Sequence, residues 1–311
     1  MEDLAEALRD ILGATSISSL VRLSGGASRE TYRFEADGRS LILQRQRGGY
    51  ERDMAIETRA LRAASAGRVP VPEVITASTD ASALGASFTV LTAVDGETIA
   101  RKILRDEQFA QARPLLAGQF GAAAARLHAV DVSGLGDFPT DDPLQALRTT
   151  LDETGEPHPA FELAFRWLHQ HRPAPRAHVL VHGDFRLGNV IVGPDGLRAV
   201  IDWELAHLGD PMEDLGWLCV KAWRFGGTLP VGGVGTYAQL FEAYEAAGGC
   251  TVDPAEVHWW EVLGTLKWGI ICITQALAHT SGASRSHELA AIGRRVCENE
   301  HDLFLALEGR W

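Results

Sequence analysis

The sequence predicts an α+β chain with a small antiparallel, β-rich N-terminal lobe and a larger, mainly helical C-terminal lobe. Three observations carry that reading. Short alternating segments between Val21 and Thr92 are divided by glycine, aspartate and proline turns. From about Ile99 onward the apolar spacing is helical. A single β element around residues 179–202 interrupts the helices. With 311 residues the chain can form two lobes, expected at 1–94 and 95–311 and joined by a hinge at about 92–97.

The elements follow in order. Leu4 to Leu12 reads as an amphipathic opening helix. Val21–Leu23, Thr31–Glu35 and Leu41–Arg45 read as strands, the first pair joined by Ser24-Gly25-Gly26-Ala27-Ser28 and the second by Ala36-Asp37-Gly38, a hairpin turn. Met54–Ala64 reads as a helix, which Val69-Pro70-Val71-Pro72 cannot continue. Phe88–Thr92 is a strand leading into Val94-Asp95-Gly96-Glu97. Gln108–Ala129 reads as one long helix, followed by a proline- and acid-rich excursion over 138–159 and a helix over 160–171. Helices are expected at about 215–224, 236–247, 254–278 and 284–307.

Composition excludes several classes. A formal charge of −12 is the reverse of the basic face that nucleic acid requires. The apolar stretch from Leu263 to Leu277 is interrupted by Lys267, Thr274 and Gln275, so no membrane span is expected. Cys219, Cys250, Cys272 and Cys297 have no paired spacing, which argues against a disulfide framework or zinc ribbon. The N-terminus has no signal-peptide pattern, and the expected location is cytoplasmic.

The chemistry concentrates in Val179-Leu-Val-His-Gly-Asp-Phe-Arg-Leu-Gly-Asn-Val-Ile-Val192, followed by Gly193-Pro-Asp-Gly196 and Leu197-Arg-Ala-Val-Ile-Asp-Trp203. The Gly-Pro-Asp-Gly block is a turn between two β-branched runs, so residues 190–192 and 199–201 should pair as a hairpin. Asn189 then lies just before one strand and Asp202 just after the other, at the open end where a hairpin's termini meet. Asp184 lies on the loop entering it. An amide oxygen and carboxylates gathered there form an oxygen-rich pocket suited to Mg2+. A zinc reading of His178, His182 and Asp184 lacks the helical spacing and a fourth ligand.

His182-Gly183-Asp184-x4-Asn189 followed by Asp202 is similar to a kinase catalytic loop and its metal-binding aspartate. The wording His-Gly-Asp-x4-Asn, then Ile-Asp-Trp-Glu, with Leu208-Gly209-Asp210-Pro211 and Asp214-Leu215-Gly216, resembles the aminoglycoside phosphotransferase superfamily. Within it, the branch resembled is the kinase-like part of acyl-CoA-dehydrogenase-associated proteins. The resemblance extends faintly over nearly the whole chain. It implies a protein kinase-like bilobal fold and a phosphotransferase using ATP, or GTP, with Mg2+. Asp184 would accept or orient a hydroxyl proton, and Asn189 and Asp202 would hold the metal. His182, Asp210 and Asp214 would brace loops.

In the N-terminal lobe, Gly25, Gly26 and Ser28 could cover phosphates, because glycine lets backbone amides approach oxygen. The resemblance also requires a cation on the third strand paired with a helix carboxylate, for which Glu57 is placed. That strand, Leu41-Ile-Leu-Gln-Arg-Gln-Arg47, has no lysine. Gln44 occupies the expected position; Arg45, its neighbour, is the expected phosphate-binding cation if the register shifts by one residue.

The acceptor side carries Trp217, Trp223, Trp259, Trp260 and Trp268 with Lys221, Arg224 and Lys267 among them. Residues 205–311 hold 13 acidic and 7 basic residues without an acidic cluster, too mild a bias for a polycationic antibiotic. The expected partner is a small hydroxylated molecule, neutral or anionic, of acyl type. An aminoglycoside kinase and a catalytically weak nucleotide- or partner-binding protein are the other readings. A protein kinase is disfavoured, since no Asp-Phe-Gly or Ala-Pro-Glu segment is present.

Overall fold

The computed structural model describes residues 2–23, 29–47 and 53–310. Gly25, Gly26 and Ser28 therefore lie outside the described residues. The chain opens with α1 (Glu2–Leu12), β1 (Ile17–Arg22), β2 (Arg29–Ala36) and β3 (Arg39–Gln46), then α2 (Met54–Ala66), β4 (Val74–Ser78) and β5 (Phe88–Thr92). The strands form one antiparallel sheet in the order β1-β2-β3-β5-β4.

The β2–β3 hairpin turns through Asp37 (φ 48°) and Gly38 (φ 78°), the two left-handed residues that a type I′ turn demands. The alternation then sorts the side chains. Tyr32, Phe34, Leu41 and Leu43 pack with Leu8 of α1 in one apolar cluster. Arg29 lies opposite Gln46 and Thr31 opposite Gln44, so these four share the other face. Here α2 lies, capped by Asp53, whose carboxylate accepts from Ala55 N at 2.8 Å.

The remaining chain is mostly helical: α3 (Ala100–Arg105), α4 (Arg113–His128), α5 (Pro143–Thr154) and α6 (Pro159–Gln170). Next come β6 (Val179–Val181), β7 (Val190–Gly193), β8 (Gly196–Val200) and β9 (His207–Gly209). The chain then runs through α7 (Met212–Cys219), α8 (Tyr237–Ala246), α9 (Pro254–Thr280), α10 (His287–Gly293) and α11 (Val296–Leu307). A large core spans both the sheet-side and helical elements, with Phe120, Phe161, Phe185, Trp203 and Leu215 fully buried. Close approaches explain some glycines: a Cβ on Gly121 would meet Leu240 O of α8 at 2.4 Å. Among the described residues no helix is long and apolar enough to cross a membrane.

The predicted 190–192/199–201 hairpin forms with Val190 opposite Val200 and Ile191 opposite Ala199. It is clamped from outside: Glu97 and Val192 exchange backbone hydrogen bonds of 2.9 and 3.0 Å, Pro70 O accepts from Val200 N at 2.7 Å, and Gln119 Oε1 accepts from Leu197 N at 2.8 Å. Several expectations are corrected. The helix expected at 108–129 starts at Arg113, with Pro114 in its first turn, where proline is tolerated. The 138–159 excursion contains α5, capped by Asp142 and closed by the left-handed Gly155. β4 is an additional strand. The single helix expected over 284–307 is two, α10 and α11, separated at Arg294–Arg295.

Candidate active site

The site is built on the loop from His182 to Asn189 between β6 and β7. Gly183 adopts φ 77°, and a Cβ there would lie 2.4 Å from Leu205 O, so only glycine fits. Asp214, at the start of α7 and 0% exposed, fixes the loop's backbone. It accepts from His182 N at 2.8 Å, from Gly183 N at 3.0 Å and from His128 Nε2 at 3.2 Å. His128 is held in turn by Tyr244 Oη at 2.9 Å. Burial favours the neutral form of Asp214, but the His128 hydrogen bond and the nearby histidines hold its pKa below the ordinary carboxylate value.

His182 is also fully buried, and burial pushes its pKa down, which keeps the imidazole neutral. It accepts from Asp184 N at 3.2 Å through Nδ1 and donates from Nε2 to Ile201 O at 3.0 Å. One ring thus ties the loop before β7 to the chain leaving β8. Asp210 accepts from Met212 N at 2.8 Å at the entrance to α7.

Three donors converge on Asp184. Oδ1 accepts from Trp217 Nε1 at 2.7 Å and from Arg186 Nε at 2.9 Å, and Oδ2 accepts from Asn189 Nδ2 at 2.5 Å. Asn189 sits in a single 3-10 turn, Leu187–Asn189, and uses its amide N–H groups on Asp184, which turns its amide oxygen away. Asp202 follows β8 with φ 67°. Burial first, and then Glu204, push its pKa up to about 6. Among the described residues no hydrogen-bond donor reaches its carboxylate. A half-buried carboxylate without a described donor, close in the chain fold to the Asn189 amide, is a fitting place for a hard cation. Among the described residues no three His, Cys, Asp or Glu side chains form a closed metal cage. The Asn189–Asp202 pair is an open set of the kind that leaves a cation room for water and phosphate oxygens.

On the sheet side the expected cation–carboxylate pair exists with a different cation. Glu57 accepts from Arg29 Nη1 of β2 at 2.6 Å, while Arg29 Nη2 reaches Glu204 at 3.2 Å. The register shift expected for Arg45 does not occur: Arg45 opposes Phe88 and Glu30 on the α1 side of the sheet, ion-paired with Glu30 and donating to Leu84 O at 3.1 Å. Gln44 lies on the α2 side of the sheet with Arg29, its Oε1 3.4 Å from Arg29 Nη1. Arg29 was missed from sequence because it follows the glycine-rich segment 24–28 rather than standing on the third strand; its shared face with Gln44 was the available signal. Arg186, two residues after Asp184, and Glu204, two after Asp202, were also missed.

Beside Asp184 stands an aromatic wall. Trp217 and Trp223 lie 5.2 Å apart between ring centroids, and Trp223 and Trp268 lie 4.8 Å apart. Arg186 stacks over Trp223 at 4.7 Å, and Lys267 sits 4.7 Å over Trp217 while donating to Gly183 O at 3.2 Å. Of the other expected cations, Lys221 pairs with Asp302 at 2.5 Å, and Arg224 is buried against Cys219 O and Glu261. Trp259 is a core residue, donating to Leu168 O at 2.9 Å.

This loop and hairpin lie within residues 19–260, which match the phosphotransferase enzyme family APH. The chain belongs to that family, a class of small-molecule phosphotransferases with hydroxyl acceptors. Among its relatives is acyl-CoA dehydrogenase family member 10 of Mus musculus, 29% identical over 238 residues. The match covers 70% of this chain and 22% of that protein, so the chain spans about a fifth of the relative's length. Among solved structures, a Ralstonia eutropha protein assigned to the aminoglycoside phosphotransferases superposes with TM-score 0.79 at 22% identity, over 98% of both chains. A thermostable mutant of aminoglycoside phosphotransferase APH(4)-Ia, in complex with AMP-PNP and hygromycin B, gives TM-score 0.67 at 17% identity over 97% of this chain and 99% of that one. These two likenesses establish the fold.

Proposed function

We propose that the protein is an ATP- and Mg2+-dependent kinase that transfers the γ-phosphoryl group to a hydroxyl of a small molecule. The observation that carries this reading is the meeting of Asp184, Asn189 and Asp202 at the open end of the β7–β8 hairpin. A module that only bound partners would have no use for an oriented carboxylate beside an open cation site. The acceptor oxygen attacks the γ-phosphorus, the bond to the β–γ bridging oxygen breaks, and ADP leaves. Asp184, oriented by Trp217, Arg186 and Asn189, receives or directs the hydroxyl proton. Mg2+, held by Asn189 and Asp202, would neutralise charge on the phosphates. The lobes 1–94 and 95–311 would close about residues 92–97 on the nucleotide, and the complex of the structural neighbour APH(4)-Ia with AMP-PNP supports nucleotide binding.

For the acceptor, the wall of Trp217, Trp223 and Trp268 offers an apolar surface, and Arg186 and Lys267 bring positive charge to its edge. That chemistry favours a neutral or anionic hydroxylated metabolite with an acyl portion, and the acyl-CoA dehydrogenase name of the relative supports it. An antibiotic acceptor is the second reading, favoured by the hygromycin-bound neighbour. Calorimetry of ATP with and without Mg2+, on wild type and Asp202→Ala, tests the nucleotide site. A screen of hydroxyacyl compounds against aminoglycosides, read by ADP release, tests the acceptor. Phosphorylation of aminoglycosides alone would reverse the preference.

A further inference from the structure

We propose that Arg29 of β2 is the cation that grips the nucleotide phosphates, replacing the third-strand lysine that this sequence lacks. The inference rests on the phosphotransferase reading above and adds a residue to it. The third strand presents Gln44 to the cleft, and a neutral amide cannot offset phosphate charge. Arg45 is on the opposite face, ion-paired with Glu30. On the cleft face of β2 and β3 the described cations are Arg29 and Arg33, and Arg33 pairs with Asp95 at 2.9 Å toward the linker between the lobes.

Arg29 has the attributes the role requires. It is 8% exposed, so its charge acts in a poorly screened setting. Its partner Glu57, at 2.6 Å, is the helix carboxylate that the sequence assigned to the phosphate-side cation. Its other arm reaches Glu204, two residues beyond Asp202, so the guanidinium spans from α2 to the metal end of the cleft. Burial works against its charge, but Glu57, Asp202 and Glu204 together hold it protonated. A guanidinium fork carries more N–H donors than these contacts use, and its planar geometry suits phosphate oxygens. The third-strand lysine has thus been exchanged for an arginine reaching the same corner from the neighbouring strand.

The test compares Arg29→Gln, Arg29→Gln with Glu57→Gln, and Arg29→Gln with Gln44→Lys, each titrated calorimetrically with Mg·ATP and with adenosine. The double glutamine variant leaves no unpaired carboxylate at Glu57 and carries the test if Arg29→Gln alone fails to fold. Mg·ATP affinity should fall at least about tenfold on loss of the charged donor while adenosine affinity stays within about twofold. Gln44→Lys should recover most of the loss, because it returns a cation to the same face. Unchanged Mg·ATP affinity, an equal loss of adenosine and Mg·ATP, or no recovery from the added lysine marks Arg29 as a brace between lobes and overturns the assignment. If wild-type protein binds Mg·ATP and the variants do so equally well, Arg29 alone is refuted. If the wild type binds none, the phosphotransferase reading falls with it.

Discussion

Asp202→Asn should stabilise the protein while removing its metal-dependent nucleotide binding. The Asp202 carboxylate is half-buried, faces Glu204 and Asp184, and has its pKa pushed up from 3.8 to about 6, by burial above all. A carboxylate whose folded-state pKa is raised holds its proton more tightly in the folded protein than in the unfolded chain. Stability is therefore greatest below about pH 4, declines as pH rises through the window from 3.8 to about 6, and carries the full penalty above it. The rise from 3.8 to about 6 corresponds to about 3 kcal/mol. Partial exposure and ionic screening reduce this, so about 1–3 kcal/mol is expected. Asparagine has the same shape, no charge, and tolerates the left-handed backbone at φ 67°. Urea unfolding in the presence of a chelator should show the variant more stable by that amount at about pH 8. The difference should shrink to a few tenths of a kcal/mol near pH 4. Equal stability at both pH values, or a gain that does not depend on pH, would refute the electrostatic account. In the same variant calorimetry should detect no Mg2+-dependent gain in ATP binding.

Three further predictions follow from the loop. Asp184→Asn should lower kcat by about 10²- to 10⁴-fold while Mg·ATP affinity changes less than about threefold; a parallel loss of binding would move Asp184 out of the proton-handling role. Asp214→Ala strands the N–H groups of His182 and Gly183 in a dry site and should cost about 3–5 kcal/mol in urea unfolding; a loss below about 1 kcal/mol would show that water replaces the carboxylate. Gly183→Ala forces a Cβ to within 2.4 Å of Leu205 O, at positive φ. A cost of about 2–4 kcal/mol is expected, together with a kcat loss that ADP release would register.

The parts of this fold that were legible in sequence are those encoded by local chemistry. Gly193-Pro-Asp-Gly196 between β-branched runs located the hairpin, and with it the meeting of Asn189 and Asp202. Asp37-Gly38 located the β2–β3 turn, since both residues suit a left-handed backbone. What was not legible depends on partners distant in sequence. β4 is short and follows two prolines, and its strand character comes from pairing with β5. α5 was hidden by the acids and prolines at its ends, which cap it rather than break it. The exchange of Arg45 for Arg29 turns on strand register and face, which a one-residue ambiguity is enough to invert.

The two sides of the cleft are held by different means, and this bears on how the site would work. The loop side rests on hydrogen-bonded contacts: Asp214 on two backbone amides, His182 across the hairpin base, and three donors on Asp184. Such a network has one low-energy arrangement and positions the reacting groups before substrate arrives. The sheet side is joined to it near Asp202 by the Arg29–Glu204 ion pair, a side-chain contact that tolerates small shifts. Asp202, carrying a carboxylate that no described donor satisfies, stands between the two. The energetic demand at the site is therefore concentrated on the charge that nucleotide and metal would bring, while the geometry around Asp184 is already set. An enzyme so arranged would spend nucleotide binding on bringing the sheet to a fixed catalytic loop, which is the division that positioning-dominated phosphoryl transfer calls for.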